Sequence, residues 1–219
     1  MLYPMFVNLI GKKVVIIGGG PIATRKLKGL IETKASITVI SPTLSEEMRN
    51  LVLNHPIDWL ERVYQDGDLE GSHLIVVATP DKQANQRILN QVKDWQWINR
   101  ADGADQGNFQ IPAQVNRGKL TIAVSTEGAS PELSKQIKTD LSNQYGKAYE
   151  SYLDFLFQCR ERVKAMQLSE GEKRFILGLL LEPDLLDPIK QQEVLNEFSM
   201  FVKEGLGVSP IQMKSKISY

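Results

Sequence analysis

The run Lys13-Val-Val-Ile-Ile17, followed at once by Gly18-Gly-Gly-Pro-Ile-Ala23, constrains this chain more than any other feature. A short unbroken apolar run ending in glycines is the pattern of a strand buried on both faces. The glycines fit G-x-G-x-x-A at Gly18, Gly20 and Ala23, and Ala23 to Glu32 then reads as a helix with Leu27, Leu30 and Ile31 on one face. Small residues have separate tasks in such a turn. The first lets the chain turn tightly, the second admits a pyrophosphate against the backbone, and the third lets the helix pack close to the sheet. The helix start supplies free N–H groups and a positive dipole end. Gly18, Gly20, Pro21, Ile22 and Ala23 are therefore expected to bind a dinucleotide.

The alternation of strand and helix continues. Ser36 to Ile40 is a second strand, Ser45 to Leu53 a helix, Ile57 to Tyr64 a third strand and His73 to Ala78 a fourth. A helix follows through Lys93, and Trp97 to Asn99 forms a short fifth strand. This order predicts a parallel sheet with right-handed crossovers, an α/β domain of Rossmann type. Ligands of such sheets lie beyond the carboxyl ends of the strands. The glycine loop, Ala78-Thr-Pro-Asp81 and Asn99-Arg-Ala-Asp102 should converge there. Thr79 is expected near the cofactor and Asp102 over the crevice; the plainer reading of Asp102 is a turn residue before Gly103. NAD sites usually carry an acid at the end of the second strand. Ile40-Ser41-Pro42 stands there instead, leaving Ser41 to meet a ribose hydroxyl. No arginine is present to invite a 2′-phosphate, so NAD is the expected cofactor.

After Gly103 the rhythm changes. Phe109 to Val115 and Leu120 to Thr126 are extended, separated by the turn Asn116-Arg-Gly-Lys119. Ser130-Pro131 then opens a helix to about Tyr145. Tyr149 to Met166 is helical, Ser169-Glu-Gly-Glu172 is a capping box opening a helix that Pro183 ends, and a last helix spans Ile189 to Lys203. The expected division is a dinucleotide-binding domain over 1–113, a linking and dimerisation segment over 114–147 and a helical domain over 148–219. The stripe Tyr149, Tyr152, Phe155 and Leu156 is the expected homodimer surface. Lys+Arg and Asp+Glu number 26 each, which argues against nucleic-acid binding by bulk charge. Apolar stretches such as 74–78 are too short to span a bilayer, and Lys12 and Lys13 follow the apolar start rather than precede it. No membrane segment or signal peptide is therefore expected, and the expected location is cytoplasmic. One cysteine and two histidines leave no internal disulfide and no zinc cluster, so no metal site is expected.

Several stretches resemble the precorrin-2 dehydrogenase family of siroheme synthases: Pro4 to Lys26, Asn99-Arg-Ala-Asp102, Phe109-Gln-Ile-Pro112 and Ile122 to Pro131. The resemblance runs in matching order and spacing from about Leu2 to Met166. It implies NAD-dependent oxidation of precorrin-2 to sirohydrochlorin, a tetrapyrrole substrate and a dimer. Asp102 falls on the family's essential carboxylate, proposed as general base and as a participant in metal insertion. Thr126, with Ser125 before it, falls where some relatives carry a serine that can be phosphorylated; the threonine is a departure. The substrate's eight carboxylates call for cations, and Arg25 and Arg100, with Ser125 and Thr126, are the expected substrate contacts. Three other readings stand beside this one: a bifunctional dehydrogenase and ferrochelatase, a non-catalytic NAD-sensing module, and a tetrapyrrole carrier that has lost catalysis.

Overall fold

The computed structural model describes residues 2–101 and 107–207. The chain forms two compact units, Met1–Ile111 and Pro112–Tyr219. In the first, five parallel strands stand in the order β3-β2-β1-β4-β5. They are β1 (Lys13–Ile17), β2 (Ser36–Ile40), β3 (Ile57–Leu60), β4 (Leu74–Val77) and β5 (Trp97–Arg100). Helices α1 (Pro21–Ile31), α2 (Glu46–Asn54) and α3 (Lys82–Gln91) connect them. Successive residues of β1 and β4 enter opposite cores. Val14, Ile16, Leu74 and Val76 pack with Ala23 and Leu27 of α1 and Met48 of α2. Val15, Ile17, Ile75 and Val77 pack with Ile88 of α3. That two-sided burial explains the continuous apolar runs. The chain leaves β1 toward one face and β4 toward the other, so a crevice opens between their carboxyl ends.

β3 stops at Leu60, short of the expected Tyr64. Beyond it, the Asp68 carboxylate receives two bonds from the Arg62 guanidinium, 2.8 and 2.7 Å, and one from the Gln65 N–H, 2.8 Å. Tyr64 turns into the α3-side core. At the opposite edge, Asn108 imitates a strand. Its Oδ1 accepts from the Ile98 N–H at 2.8 Å, its own N–H donates to the Ile98 carbonyl at 3.1 Å, and its Nδ2 donates to the Gln96 carbonyl at 2.7 Å. Asn99 Nδ2 donates to the Phe109 carbonyl at 3.2 Å. Phe109 and Ile111 therefore pack as loop residues on the first core, and the expected strand from Phe109 begins only at Ala113.

The second unit opens with an antiparallel hairpin, β6 (Ala113–Arg117) and β7 (Leu120–Val124). Gly118, at φ +57°, takes the first turn position. Among the described residues, six helical segments follow: α4 (Pro131–Gln144), α5 (Ala148–Lys164), α6 (Glu170–Leu179), a 3-10 turn at Pro183–Leu186, α7 (Pro188–Asn196) and α8 (Phe198–Gly207). Ser169 and Glu172 form the expected capping box. The expected single last helix is broken at Glu197, where φ is −110° and ψ is 30°. Arg162 donates to the Leu195 carbonyl near the end of α7 and lies 5.4 Å from the Phe198 ring. The break turns Phe198, Val202 and Gly205 inward together. Tyr152 and Phe155 are buried with Cys159, Val163, Ile176 and Leu180 in this unit's own core. Half of the stripe expected to form a dimer surface is thus already covered.

Candidate dinucleotide site

Each glycine of the loop is required for a different reason. Gly18 has φ +119°, and a Cβ there would lie 2.3 Å from the Ala78 carbonyl oxygen. The fold itself therefore requires glycine, because β1 and β4 approach so closely. A Cβ on Gly19 would lie 2.0 Å from the Thr43 carbonyl oxygen and 2.8 Å from Ser41 Oγ. Gly20 differs from both. Its φ of −84° and ψ of −177° suit any residue, and a Cβ there would meet nothing within 4 Å. Neither backbone nor packing explains the third glycine, whereas close approach of a pyrophosphate does.

The start of α1 offers what such a group needs. Gly20 provides no side-chain cap, Pro21 has no N–H, and no acid occupies the first turn. The other two helices described in this unit, α2 and α3, are closed by their own side chains. Ser45 Oγ accepts from the Met48 N–H on α2, and Asp81 accepts from the Gln83 and Ala84 N–H groups on α3. Among the described residues of this unit, only α1 keeps an uncapped positive end at the crevice. Arg25 is exposed on α1, and the ammonium pKa of Lys26 is lowered by burial and then by the Arg25 charge.

Of the expected cofactor residues, Gly18 touches the Ala78–Thr79 peptide, and Ala23 is fully buried against the sheet. Pro21 and Ile22 are exposed at the helix start. Thr79 holds the turn after β4: its hydroxyl accepts from the Asp81 N–H at 3.3 Å, and its carbonyl accepts from Asn85 Nδ2 at 3.2 Å. Ser41 is buried and donates its hydroxyl to the Thr43 carbonyl at 2.7 Å. Its own carbonyl accepts from Trp59 Nε1 at 3.0 Å. Among the expected substrate residues, Arg100 ends β5 in the first unit, whereas Ser125 and Thr126 belong to the second. Thr126 Oγ1 donates to the Ser130 carbonyl at 3.0 Å and lies 3.0 Å from Ser134 Oγ, while Ser125 is exposed. Asp102 lies outside the described residues. Gly19 escapes the fingerprint; a glycine at the free position between the two that match was the available signal.

Residues 5–113 match the family model described as "Putative NAD(P)-binding", residues 117–144 that described as "Sirohaem biosynthesis protein central", and residues 149–194 that described as "SirC C-terminal domain". The precorrin-2 dehydrogenase of Priestia megaterium is 36% identical over 201 residues, covering 91% of this chain and 100% of that protein. The chain belongs to the precorrin-2 dehydrogenase family. A second member, from Bacillus subtilis strain 168, is 32% identical over 74% of this chain and 99% of its own length. The solved structure of "SirC, precorrin-2 dehydrogenase" matches with a TM-score of 0.76 at 36% identity, over 91% of this chain and 100% of that one. Siroheme synthase 3 of Aeromonas hydrophila is 31% identical over 84% of this chain, which spans 39% of that longer relative. Among the described residues, no helix is long and apolar enough to cross a membrane.

Proposed function

We propose that this chain is an NAD-dependent precorrin-2 dehydrogenase that forms sirohydrochlorin in siroheme biosynthesis. The observation that carries the reading is the match to the Priestia megaterium enzyme over that protein's whole length, including the helical part. The glycine loop fits the cofactor, because Gly20 and the uncapped start of α1 leave room and N–H groups for a pyrophosphate. When bound, NAD accepts the hydride that leaves the tetrapyrrole. The accompanying proton needs a base, and Asp102, which follows β5 in sequence, is that base in this reading. Arg25, Arg100 and Ser125 contact the substrate's carboxylates in this reading, and Thr126, its hydroxyl proton given to the Ser130 carbonyl, shapes the turn before α4. Ser41 contributes by shaping the turn after β2 rather than by offering its hydroxyl proton.

The protein acts as a cytoplasmic homodimer in this reading, with residues 114–147 at the contact. Two features support that segment. A two-stranded sheet is marginal alone, and α4 buries none of its residues. Sedimentation at micromolar concentration should give twice the chain mass; a monomer overturns the dimer.

The activity test supplies enzymatically generated precorrin-2 anaerobically with NAD or NADP and follows the absorbance change. Turnover with NAD is expected. Dinucleotide binding without turnover would support the sensing module, and tetrapyrrole binding without turnover the carrier. Asp102→Asn should lower turnover by ~10²–10⁴, the usual loss for a general base, with NAD affinity kept. A wild-type rate in that variant would return Asp102 to a turn residue. Loss of iron insertion alone would assign the carboxylate to chelation.

A further inference from the structure

Helix α1 has two flanks, and its own bonds tell them apart. The sheet order puts β2 and β3 on one side of β1, and β4 and β5 on the other. Thr24 Oγ1 lies 3.0 Å from Ser45 Oγ, and Lys28 donates to the Glu47 carboxylate, so their flank faces α2 and the β2 side. Ala23, Leu27 and Leu30 face the sheet. Two positions along a helix are a rotation of roughly 200°, which sets Ile22 and Lys26 on the opposite flank, toward β4 and β5. Among the described residues no other helix covers that part of the face; Phe109 and Ile111 pack there as loop residues. Lys26 is partly buried, and among the described residues its ammonium has no hydrogen bond and no carboxylate partner. Burial and the like charge of Arg25 both lower its pKa. A half-covered charge without a counter-ion is unfavourable in the empty protein.

Helical side chains lean toward the start of their helix, and the start of α1 lies at the crevice. The Lys26 stem therefore runs up the free flank toward the carboxyl ends of β4 and β5. What meets it there follows from the direction of a dinucleotide across such a sheet. With the pyrophosphate at the start of α1, the adenosine half lies past β2 and the nicotinamide half past β4. A hydride donor must lie against the nicotinamide, so the tetrapyrrole shares the side of α1 that carries Lys26. We infer that Lys26 is a substrate-binding residue, its ammonium donating to a carboxylate of the tetrapyrrole. The inference rests on the dehydrogenase reading above and adds a cation to it. It also gives α1 two tasks, the cofactor at its start and the substrate along its free flank.

The test is Lys26→Met, which keeps an apolar stem and removes the ammonium. KM for precorrin-2, and Kd for sirohydrochlorin by anaerobic fluorescence titration, should rise ~10–100-fold, the scale of one lost hydrogen bond to a charged group. At saturating precorrin-2, kcat should stay at its wild-type value, because the lost contact is made equally before and during reaction. Kd for NAD by calorimetry should not change, and Lys26→Arg should restore most of the tetrapyrrole affinity. Lys28→Met removes an equal charge from the α2 flank and should leave tetrapyrrole affinity as it was. The melting temperature of Lys26→Met should be no lower than that of the wild type, since the ammonium has no partner to lose. Lys26→Gln, a good helix former, carries the same expectations even if Lys26→Met does not fold. Unchanged tetrapyrrole affinity in the folded variants overturns the inference. So does an equal loss of NAD affinity, which would put the ammonium on the pyrophosphate, or an equal loss in Lys28→Met, which would mean bulk charge. Wild-type protein that binds no tetrapyrrole would instead overturn the dehydrogenase reading, and this role with it.

Discussion

A single methyl group at residue 19 would collide with a backbone carbonyl from another loop, since its carbon would lie 2.0 Å from the Thr43 oxygen. Backbone cannot swing aside as a long side chain can. Gly19→Ala must therefore displace residues 41–45 or the glycine loop itself. The variant should lose ~1–3 kcal/mol of stability, as overpacked sites do, and should bind NAD at least ~10-fold more weakly, measured by thermal melting and calorimetric titration. Unchanged melting and affinity would show that the two loops do not pack as described. At this scale the sequence was only partly legible. Gly18, Gly20 and Ala23 follow from a turn, an approaching ligand and a close-packed helix, all written within six residues. Thr24 and Ser45 meet across 21 positions, and no local pattern announces such a bond. Ser41 has a local bond no pattern announces, its hydroxyl donating to the carbonyl two residues on.

Elements buried on both sides were the easiest to read, and those at the margins the hardest. β1 and β4 emerge from unbroken apolar runs. β3, at the sheet edge, ended where Arg62 and Asp68 form their pair, and no periodicity encodes that exchange. The last helix showed apolar residues at helical spacing on both sides of Glu197, so the spacing could not reveal the break. The Arg62–Asp68 pair also has a pH signature. The Arg62 guanidinium holds the Asp68 carboxyl below its ordinary value, helped by the Gln65 N–H. Its stabilising contribution is complete above the unfolded value, about pH 4, and is lost as pH falls through the lower folded value. Asp68→Asn should lose ~1–3 kcal/mol at neutral pH, and the gap between variant and wild type should narrow in acid. Denaturant midpoints at pH 7 and pH 3 check both parts; a gap that widens in acid would mean the pair does not carry the effect.

For the molecule as a whole, the two units have separate cores and should respond separately to damage. Phe155, with Cys159 and Val163, fills only the second. Phe155→Ala should cost ~3–5 kcal/mol there, and the Cys159 thiol, pushed up to about 11 by burial, should become reactive as that unit opens. NAD titration in the cold should still give near wild-type affinity, because the glycine loop rests on the first core. Loss of cofactor binding in step with thiol exposure would show that the units fold as one. The uncapped end of α1 has a consequence for how such a chain can evolve. A serine or aspartate at position 20 would close that helix as Ser45 and Asp81 close theirs, favouring the empty protein. The same side chain would occupy the space a pyrophosphate needs. Selection for thermal robustness and selection for turnover therefore oppose each other at this one position, and the glycine found there is the residue that favours turnover.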